Sequence, residues 1–253
     1  MTSQHVLGID IGGSGIKGAP VDLQKGAFAV ERKRIDTPED STPEAVAEIV
    51  AKIAEKFTDD IGPDTPVGIT VPAVVSHGVV RSAANIDKSW IGTDAESLFS
   101  KVLGRRVIVV NDADAAGAGE MHYGAGRGND GTVLVTTLGT GIGSALFLGG
   151  ELVPNTELGH LELDGHDAET RAANSVREDQ DLSWEDWAER LQRYYGHVED
   201  LLWPDLIIVG GGVSKKSEKF LPYLHLRAPI TPAQLKNDAG IIGAAWLAHH
   251  HRS

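Results

Sequence analysis

The sequence predicts an α/β protein made of two lobes with a cleft between them. Strand-like apolar runs alternate with helical patterns, and these runs fall into two groups that separate near residue 111. Glycine, at 30 of 253 residues, clusters where the strands end. We expect residues 1–110 to form a small N-terminal lobe that the C-terminal helix 240–253 completes. Residues 111–239 then form a larger C-terminal lobe.

The first lobe contains the clearest helical pattern of the chain, over residues 41–57. Thr42 can cap this helix and Pro43 occupies its first position, where a missing N–H costs nothing. Apolar side chains follow at helical spacing from residue 46 to residue 57. Apolar runs bounded by turn residues predict the strands of this lobe at residues 5–11, 18–30, 67–75 and 106–110.

The second lobe begins with an acidic helix start. Asp114 is expected to cap a helix that opens at Ala115, because aspartate is favoured at that position. A long amphipathic helix is predicted over residues 184–203 and a final helix over residues 240–250. The strands of this lobe are predicted at residues 132–138, 144–148 and 206–209.

Composition excludes several classes of protein. Lys and Arg number 23 against 36 Asp and Glu, a net charge of −13, which argues against nucleic-acid binding but permits a local basic patch for an anionic substrate. The sequence contains no long apolar run and its first residues lack the pattern of a secretory signal, so we expect a cytoplasmic protein without membrane contact. The absence of cysteine excludes disulfides, iron–sulfur clusters and thiolate zinc sites.

The first of three glycine turns lies between residues 10 and 18. Residues 13–18 match the GxGxxG dinucleotide fingerprint in form, but that motif opens a helix, and Pro20 stands where the helix would begin. The segment is therefore interpreted as a hairpin, whose backbone N–H groups can approach phosphate oxygens. A plain hairpin with a solvated lysine is the simpler alternative. The candidate phosphate ligands are Gly12, Gly13, Ser14, Gly15 and Lys17, and Asp10 is the candidate for holding Mg²⁺ through water.

The second and third glycine turns fall in the other half of the chain. One again joins two strands and alternates glycine with threonine, while the other follows a buried strand and ends at Ser214, which could cap a helix. Each turn alone is a weak signal, but the three together indicate a phosphate-bearing donor. The candidate donor ligands in these turns are Thr137, Gly139, Thr140, Gly141, Gly210, Gly211 and Gly212.

These turns resemble the phosphate-1, phosphate-2 and adenosine motifs of the sugar kinase, heat-shock and actin superfamily. Within it, the chain resembles the ROK (repressor, ORF, kinase) family of sugar kinases, most closely the branch of polyphosphate glucokinases. The resemblance implies an actin-like (ribonuclease H-like) two-lobe sugar kinase fold with a central cleft, and a homodimer. The segments that carry it are residues 8–18, 79–93, 110–120, 137–145, 154–162, 203–214 and 239–245.

Asp112 is the candidate general base. It follows a predicted strand at the proposed lobe junction, where a carboxylate is well placed to accept a proton, and it matches the catalytic aspartate of the family's Asn-Asp motif. Helix capping is the alternative use of this carboxylate. The resemblance places Glu157 and His160 on the hexose. The full set of candidate glucose ligands is Asn85, Asn111, Asp112, Glu157, His160 and Glu169, of which Asn85 also suits a turn.

The chain departs from the family in one respect. Many ROK kinases carry a cysteine-rich zinc motif after the Gly-His pair, whereas residues 161–167 contain no cysteine. We therefore expect no structural zinc, which leaves His160 for the sugar. A metal held by His160 and His166 is an alternative, although lone imidazoles are more often hydrogen-bonded parts of the structure.

The segment of residues 79–93 resembles a stretch typical of enzymes that use polyphosphate. A polyphosphate chain needs more cations than ATP, spread along a groove, although a lone surface lysine is usually solvated. Lys215, Lys216 and Lys219 directly follow the third glycine turn and are therefore expected nearest the donor. The remaining candidate contacts are Lys17, Arg81, Lys88 and Arg127.

The sequence thus predicts transfer of a phosphoryl group from polyphosphate to the 6-hydroxyl of glucose, with Mg²⁺ as cofactor and ATP as a possible second donor. An ATP-dependent hexose or N-acylhexosamine kinase of the same fold is the nearest alternative. A sugar-sensing regulator would need a helix-turn-helix, yet only nine residues precede Asp10. A filament protein of actin type would leave Asp112 and His160 without a role.

Overall fold

The computed structural model describes residues 5–84 and 86–251, and the chain divides into two compact units. The first unit comprises the chain up to Gly119 together with the stretch from Asp238 onward, and the second comprises Glu120–Asn237. This division differs from the boundaries predicted after residues 110 and 239. The first unit, which was expected to be the smaller, contains more residues than the second.

The first unit contains a mixed six-stranded sheet. Its order is β3–β2–β1–β5–β8, and β4 also pairs with β2. β1 and β2 form an antiparallel hairpin, whereas β1, β5 and β8 are parallel, so their carboxyl ends lie at one edge. β6 and β7 pair with each other. The strands are β1 (His5–Gly12), β2 (Gly15–Asp22), β3 (Ala27–Phe28), β4 (Lys33–Ile35), β5 (Val67–Val71), β6 (Val75–Ser76), β7 (Val79–Val80) and β8 (Val107–Asn111).

The predicted strand over residues 18–30 is wrong at both ends. β2 begins at Gly15, directly after the glycine turn, and ends at Asp22. There the Asp22 carboxylate accepts hydrogen bonds from the backbone N–H groups of Gln24 and Lys25, which turns the chain. The strand predicted over residues 67–75 likewise divides, because β5 ends before Pro72.

The first unit contains the helices α1 (Pro43–Glu55) and α2 (Ala95–Leu103), the first turns of α3 (Asp112–Tyr123), and the C-terminal helix. The predicted start of α1 is confirmed, since the Ala45 N–H donates to Thr42 Oγ1 at 3.4 Å and Pro43 is the first helical residue. The buried face of α1, including Val46, Val50 and Ile53, packs into the core beside the sheet.

The C-terminal helix packs directly on the backbone of this sheet. Gly8 in β1 and Gly68 in β5 make this possible, because a Cβ at either position would overlap a main-chain carbonyl oxygen of the helix, at Ile241 and Ala244 respectively. Gly243 on the helix similarly lets it touch the carbonyl group of Ala115. This contact explains why the first turns of α3 stay with the first unit.

The second unit contains a five-stranded sheet of order β11–β10–β9–β14–β15 and a separate β12–β13 hairpin. β9 and β10 form an antiparallel hairpin, and β14 lies parallel to β9. The strands are β9 (Thr132–Leu138), β10 (Ile142–Leu148), β11 (Glu151–Val153), β12 (Glu162–Leu163), β13 (His166–Asp167), β14 (Leu206–Gly210) and β15 (Ile230–Pro232).

Helices of the second unit cover a core that includes Trp187, Tyr195 and Phe220. The predicted long amphipathic helix is confirmed and ends one residue early, because Trp203 adopts a left-handed conformation. In the part of the chain that the structure describes, no helix has both the length and the apolarity needed to cross a bilayer. The remaining helices are α4 (Glu169–Ala172), α5 (Asn174–Asp179), α6 (Trp184–Leu202) and, in the first unit, the C-terminal helix α7 (Ala239–His250).

Candidate functional site

The first glycine turn is a hairpin, as predicted, and two side chains hold it in place. Thr37 Oγ1 donates to the Gly12 carbonyl oxygen at 2.5 Å, and Arg34 Nη2 donates to the Ser14 carbonyl oxygen at 2.7 Å. Both bonds use carbonyl groups, so they hold the turn without occupying the N–H groups that a phosphate would bind. Neither Arg34 nor Thr37 carried a sequence signal, because both come from a later strand and loop.

Asp10 and Lys17 face each other across this hairpin. Their side chains approach to 4.0 Å, between Lys17 Nζ and Asp10 Oδ2. Asp10 Oδ1 accepts a hydrogen bond of 2.8 Å from Thr70 on the neighbouring strand β5. The carboxylate is thus fixed at the carboxyl edge of the sheet, and an oxygen donor of this kind fits Mg²⁺ bound through water.

Asn111 ends β8 and caps α3. Its Oδ1 accepts hydrogen bonds from the backbone N–H groups of Ala113 at 2.8 Å and Asp114 at 3.1 Å. Its Nδ2 donates to the Ala73 carbonyl oxygen at 3.1 Å, and the residue is only 7% exposed. These bonds give the amide a positioning role at the start of α3, and its direct contact with the sugar stays a prediction from the sequence.

Asp112 is the first residue of α3. Its carboxylate is half-buried and accepts a hydrogen bond of 2.9 Å from the Ala113 N–H, at the helix end where the macrodipole favours negative charge. The prediction that α3 opens at Ala115 with Asp114 as its cap is wrong. The helix begins three residues earlier because the Asn111 amide supplies the cap.

A cavity of about 190 Å³ lies beside the first glycine turn, within the first unit. Its walls include Gly12, Val71 and the indole of Trp90, which is buried and donates to the Ser41 carbonyl oxygen at 2.8 Å. Trp90 belongs to the segment that resembles polyphosphate enzymes, so part of that segment serves the core. Arg81 and Lys88 from the same segment are exposed, and Asn85 lies outside the described residues.

In the second unit, three carboxylate side chains converge around His160. His160 Nδ1 lies 2.9 Å from Asp167 Oδ2 and 3.9 Å from Glu169 Oε1, and His160 Nε2 lies 3.9 Å from Glu157 Oε2. The structure therefore brings together three sugar ligands predicted from the sequence and adds Asp167. Asp167 was missed because a lone aspartate in a short hairpin carries no pattern of its own.

This cluster shifts the protonation of its members. The hydrogen bond to Asp167 raises the pKa of His160, and the nearby charges of Glu169 and Glu157 act in the same direction. Burial raises the pKa of Glu157, with a further contribution from the charge of Glu169. Both shifts favour the protonated forms of His160 and Glu157, so the cluster can present hydrogen-bond donors as well as acceptors to sugar hydroxyls.

His166 does not join this cluster. Its Nε2 instead lies 2.6 Å from Arg171 Nη2, so the alternative of a His160–His166 metal pair finds no support in the geometry. His160, Asp167 and Glu169 present ligand atoms within 4.8 Å of one another and are, among the described residues, the set that could hold a divalent ion.

Glu169 links the cluster to the second glycine turn. Its Oε2 accepts a hydrogen bond of 3.0 Å from the Ile142 N–H, the first residue after the turn. On the other side of the turn, Ser175 donates from its backbone N–H to the Gly139 carbonyl oxygen at 3.0 Å and from Oγ to the Thr140 carbonyl oxygen at 2.7 Å. One carboxylate thus contacts both the proposed sugar ligands and the proposed donor turn.

The third glycine turn adjoins the second. Gly210 pairs in parallel register with Thr137, and a Cβ at Gly211, where φ is +80°, would overlap the backbone of Leu138. The predicted capping role of Ser214 is wrong. Ser214 lies inside a 3₁₀ segment over residues 212–219, which is kinked at Lys216, and its Oγ donates back to the Gly211 carbonyl oxygen at 2.8 Å.

The three lysines after this turn differ in their surroundings. Lys216 Nζ and Lys219 Nζ lie 5.8 Å and 5.6 Å from the ring centroid of Trp184. Lys216 also lines a cavity beside Gly139 and Gly212, whereas Lys215 is not among the residues that line it; all three lysines are exposed. The structure thus distinguishes lysines that the sequence treated alike.

The sequence is similar to those of known proteins over most of its length. The sequence model of the ROK family matches residues 6–175. The chain is 50% identical over 248 residues to polyphosphate glucokinase of Mycobacterium tuberculosis (strain ATCC 25618 / H37Rv), which covers 98% of this chain and 92% of that protein.

Solved structures of related proteins show the same similarity. Inorganic polyphosphate/ATP-glucomannokinase from Arthrobacter sp. strain KM is 56% identical, with a TM-score of 0.92 over 97% of this chain and 98% of that one. A ROK family glucokinase from Streptomyces griseus, in complex with glucose and AMPPNP, is 24% identical with a TM-score of 0.83 over 98% and 100%. The expected α/β sugar kinase fold is confirmed by these matches.

Proposed function

Because the chain belongs to the ROK family, we propose that it transfers a phosphoryl group from inorganic polyphosphate to the 6-hydroxyl of glucose, with ATP as a second donor. One observation carries the proposal: the chain is 50% and 56% identical, over nearly its whole length, to two proteins whose names specify polyphosphate. The products are glucose 6-phosphate and a polyphosphate chain shortened by one unit.

The proposed base is Asp112. It accepts the proton of the 6-hydroxyl while that oxygen forms a bond to the terminal phosphorus and the bond from phosphorus to the rest of the chain breaks. The Asn111 cap supports this role, because it fixes the start of α3 and with it the Asp112 carboxylate. A residue that acts in this way is a positioning residue.

The proposed sugar ligands of the second unit are Glu157, His160 and Glu169. Glucose presents several hydroxyls that each donate and accept, and a partly exposed cluster of carboxylates and an imidazole matches that requirement. We include Asp167 as the residue that orients the His160 ring. Asn85 is also proposed as a glucose ligand, on the evidence of the sequence alone.

The proposed donor ligands are the backbone N–H groups of the first two glycine turns, with Lys17, Lys216 and Lys219 as nearby cations. Asp10 would hold Mg²⁺ through water, and the ion would neutralise charge on the donor phosphates when bound. We further propose a homodimer in the cytoplasm. The homodimer rests on the family resemblance, and the cytoplasmic location rests on the composition of the sequence.

A coupled assay for glucose 6-phosphate tests the function directly. Glucose and Mg²⁺ are held constant while ATP-free polyphosphate and ATP are compared as donors. We expect a higher kcat/KM with polyphosphate. Activity with ATP alone would contradict the proposed donor and establish the ATP-dependent alternative, and phosphorylation of N-acylhexosamines in preference to glucose would contradict the proposed acceptor.

A further inference from the structure

A cavity of about 210 Å³ lies within the second unit where the second and third glycine turns meet. Gly139 from one turn and Gly212 from the other form part of its wall. The remaining wall includes Arg177, Trp184 and Lys216. Arg177 lies in α5, between the two turns in sequence, and no motif of the sequence pointed to it.

Three cations gather around one aromatic ring at this cavity. Arg177 Cζ lies 4.2 Å from the Trp184 ring centroid, and the ammonium groups of Lys216 and Lys219 lie within 6 Å of it. Cation–π attraction accounts for holding like charges this close together. Arg177 Nη2 also lies 3.2 Å from Glu178 Oε1, a carboxylate that lines the same cavity and is 59% exposed. Arg177, Lys216 and Glu178 together leave one net positive charge on the wall, on a protein whose net charge is −13.

The arrangement of Arg177 determines which part of a donor the cavity suits. Trp184 is the one aromatic side chain among the described lining residues, and the guanidinium of Arg177 already lies over its ring. Arg177 is also held by Asn174, whose Oδ1 accepts from Nε at 3.3 Å, and its side chain is only 14% exposed. A nucleobase could stack on Trp184 only by displacing the guanidinium of Arg177. A polyanion could bind that guanidinium without displacing it.

We infer that Arg177, together with Lys216, binds phosphates in the tail of polyphosphate, beyond the phosphoryl group that is transferred. The inference rests on the proposed function and adds a subsite and a specificity-determining residue to it. A guanidinium forms charge-assisted hydrogen bonds to phosphate oxygens, and Lys216 adds a second charge on the same wall. Binding at this subsite favours a long polyanion over a nucleotide, because a nucleobase carries no negative charge to pair with Arg177 and Lys216.

The test compares Arg177→Gln with the wild-type enzyme on long-chain polyphosphate, tripolyphosphate and ATP. Loss of one charge-assisted contact should raise the KM for long-chain polyphosphate about tenfold. The KM for tripolyphosphate should rise less, because a short chain does not reach the subsite. The kcat and the KM for glucose should stay unchanged, the KM for ATP should not rise, and Arg177→Lys should recover part of the loss.

Arg227→Gln is the matched control. Arg227 also stacks on a tryptophan, with Cζ 3.8 Å from the Trp203 ring centroid, but it is not among the residues that line this cavity. Thermal unfolding of both variants shows whether either is misfolded, and Arg177→Lys provides the readout if Arg177→Gln is unstable.

An unchanged KM for long-chain polyphosphate in Arg177→Gln would overturn the inference while leaving polyphosphate as the donor. Equal rises for long chains, tripolyphosphate and ATP would also overturn it, since they would place Arg177 near the transferred group. A wild-type enzyme without polyphosphate activity would instead overturn the proposed function, and the inference with it.

Discussion

The two units hold their proposed functional residues by different means. In the first unit, Asp10 lies on β1 and Asp112 directly follows β8, so the parallel strands of one sheet set their positions. In the second unit, the His160 cluster lies on a 3₁₀ turn, a two-residue strand and a four-residue helix. There the side chains hold one another. Single substitutions should therefore have confined effects in the first unit and wider effects in the second.

The largest effect is expected at Asp112. Asp112→Asn removes the proposed base but keeps a side-chain oxygen that can accept the Ala113 N–H, so α3 and the sheet edge should be preserved. We expect kcat to fall at least about a hundredfold, while the KM for glucose changes little. Steady-state kinetics measures both values, and circular dichroism checks the fold. A kcat close to that of the wild-type enzyme would exclude Asp112 as the base.

The first unit was also the easier one to predict from the sequence. A strand that ends in a glycine turn and a Thr-Pro pair before a helix are local sequence signals. They correctly predicted the β1–β2 hairpin and the start of α1. The capping of α3 was predicted wrongly because Asn111 and Asp114 both suit a helix start, and the tertiary contact of Asn111 with Ala73, which helps to fix it there, follows no sequence pattern.

The second unit's network could be predicted only in part. Family motifs named Glu157, His160 and Glu169, but the bond from Ile142 to Glu169 joins residues 27 positions apart and follows no periodic pattern. Asp167 and Arg177 were missed for the same reason. Their roles depend on which long-range neighbours they meet, such as the ring of Trp184.

Glu169 offers the clearest test of wider effects in the second unit. Glu169→Ala removes both the contact with His160 and the acceptor of the Ile142 N–H beside the donor turn. We expect the KM for glucose to rise about tenfold and the KM for the donor to rise several-fold, because a backbone donor loses its partner. Initial rates over both substrates separate the two constants.

Glu157→Ala is the matched variant for this experiment. The Glu157 carboxylate lies 3.9 Å from His160, so Glu157→Ala should raise the KM for glucose alone. Glu169→Gln should recover the KM for the donor, because its amide oxygen can still accept from Ile142. If Glu157→Ala and Glu169→Ala raised the same constants equally, the proposed link between the sugar cluster and the donor turn would be wrong.

The smallest effect, and the finest test of the network, is expected at Asp167. Asp167→Asn removes the charged partner of His160, whose hydrogen bond raises the pKa of that imidazole, so the pKa should fall towards the ordinary value of about 6.5. Because the pKa of His160 is higher in the folded than in the unfolded state, its protonation stabilises the fold. This contribution is complete at pH values below the unfolded-state pKa and is lost as the pH rises through the folded-state pKa. The variant should therefore be less stable than the wild type near pH 6 by up to about 1 kcal/mol, as for exposed ion pairs.

This difference in unfolding free energy should shrink as the pH rises above the His160 pKa of the wild-type enzyme. Denaturant unfolding at several pH values measures it, and NMR titration of His160 follows the pKa itself. Asp164→Asn is the control, because Asp164 pairs with Arg193 rather than with His160. If the His160 pKa stayed the same in Asp167→Asn, the ring would be held by Glu157 and Glu169 instead, and the second unit's cluster would depend on those carboxylates rather than on its pair with Asp167.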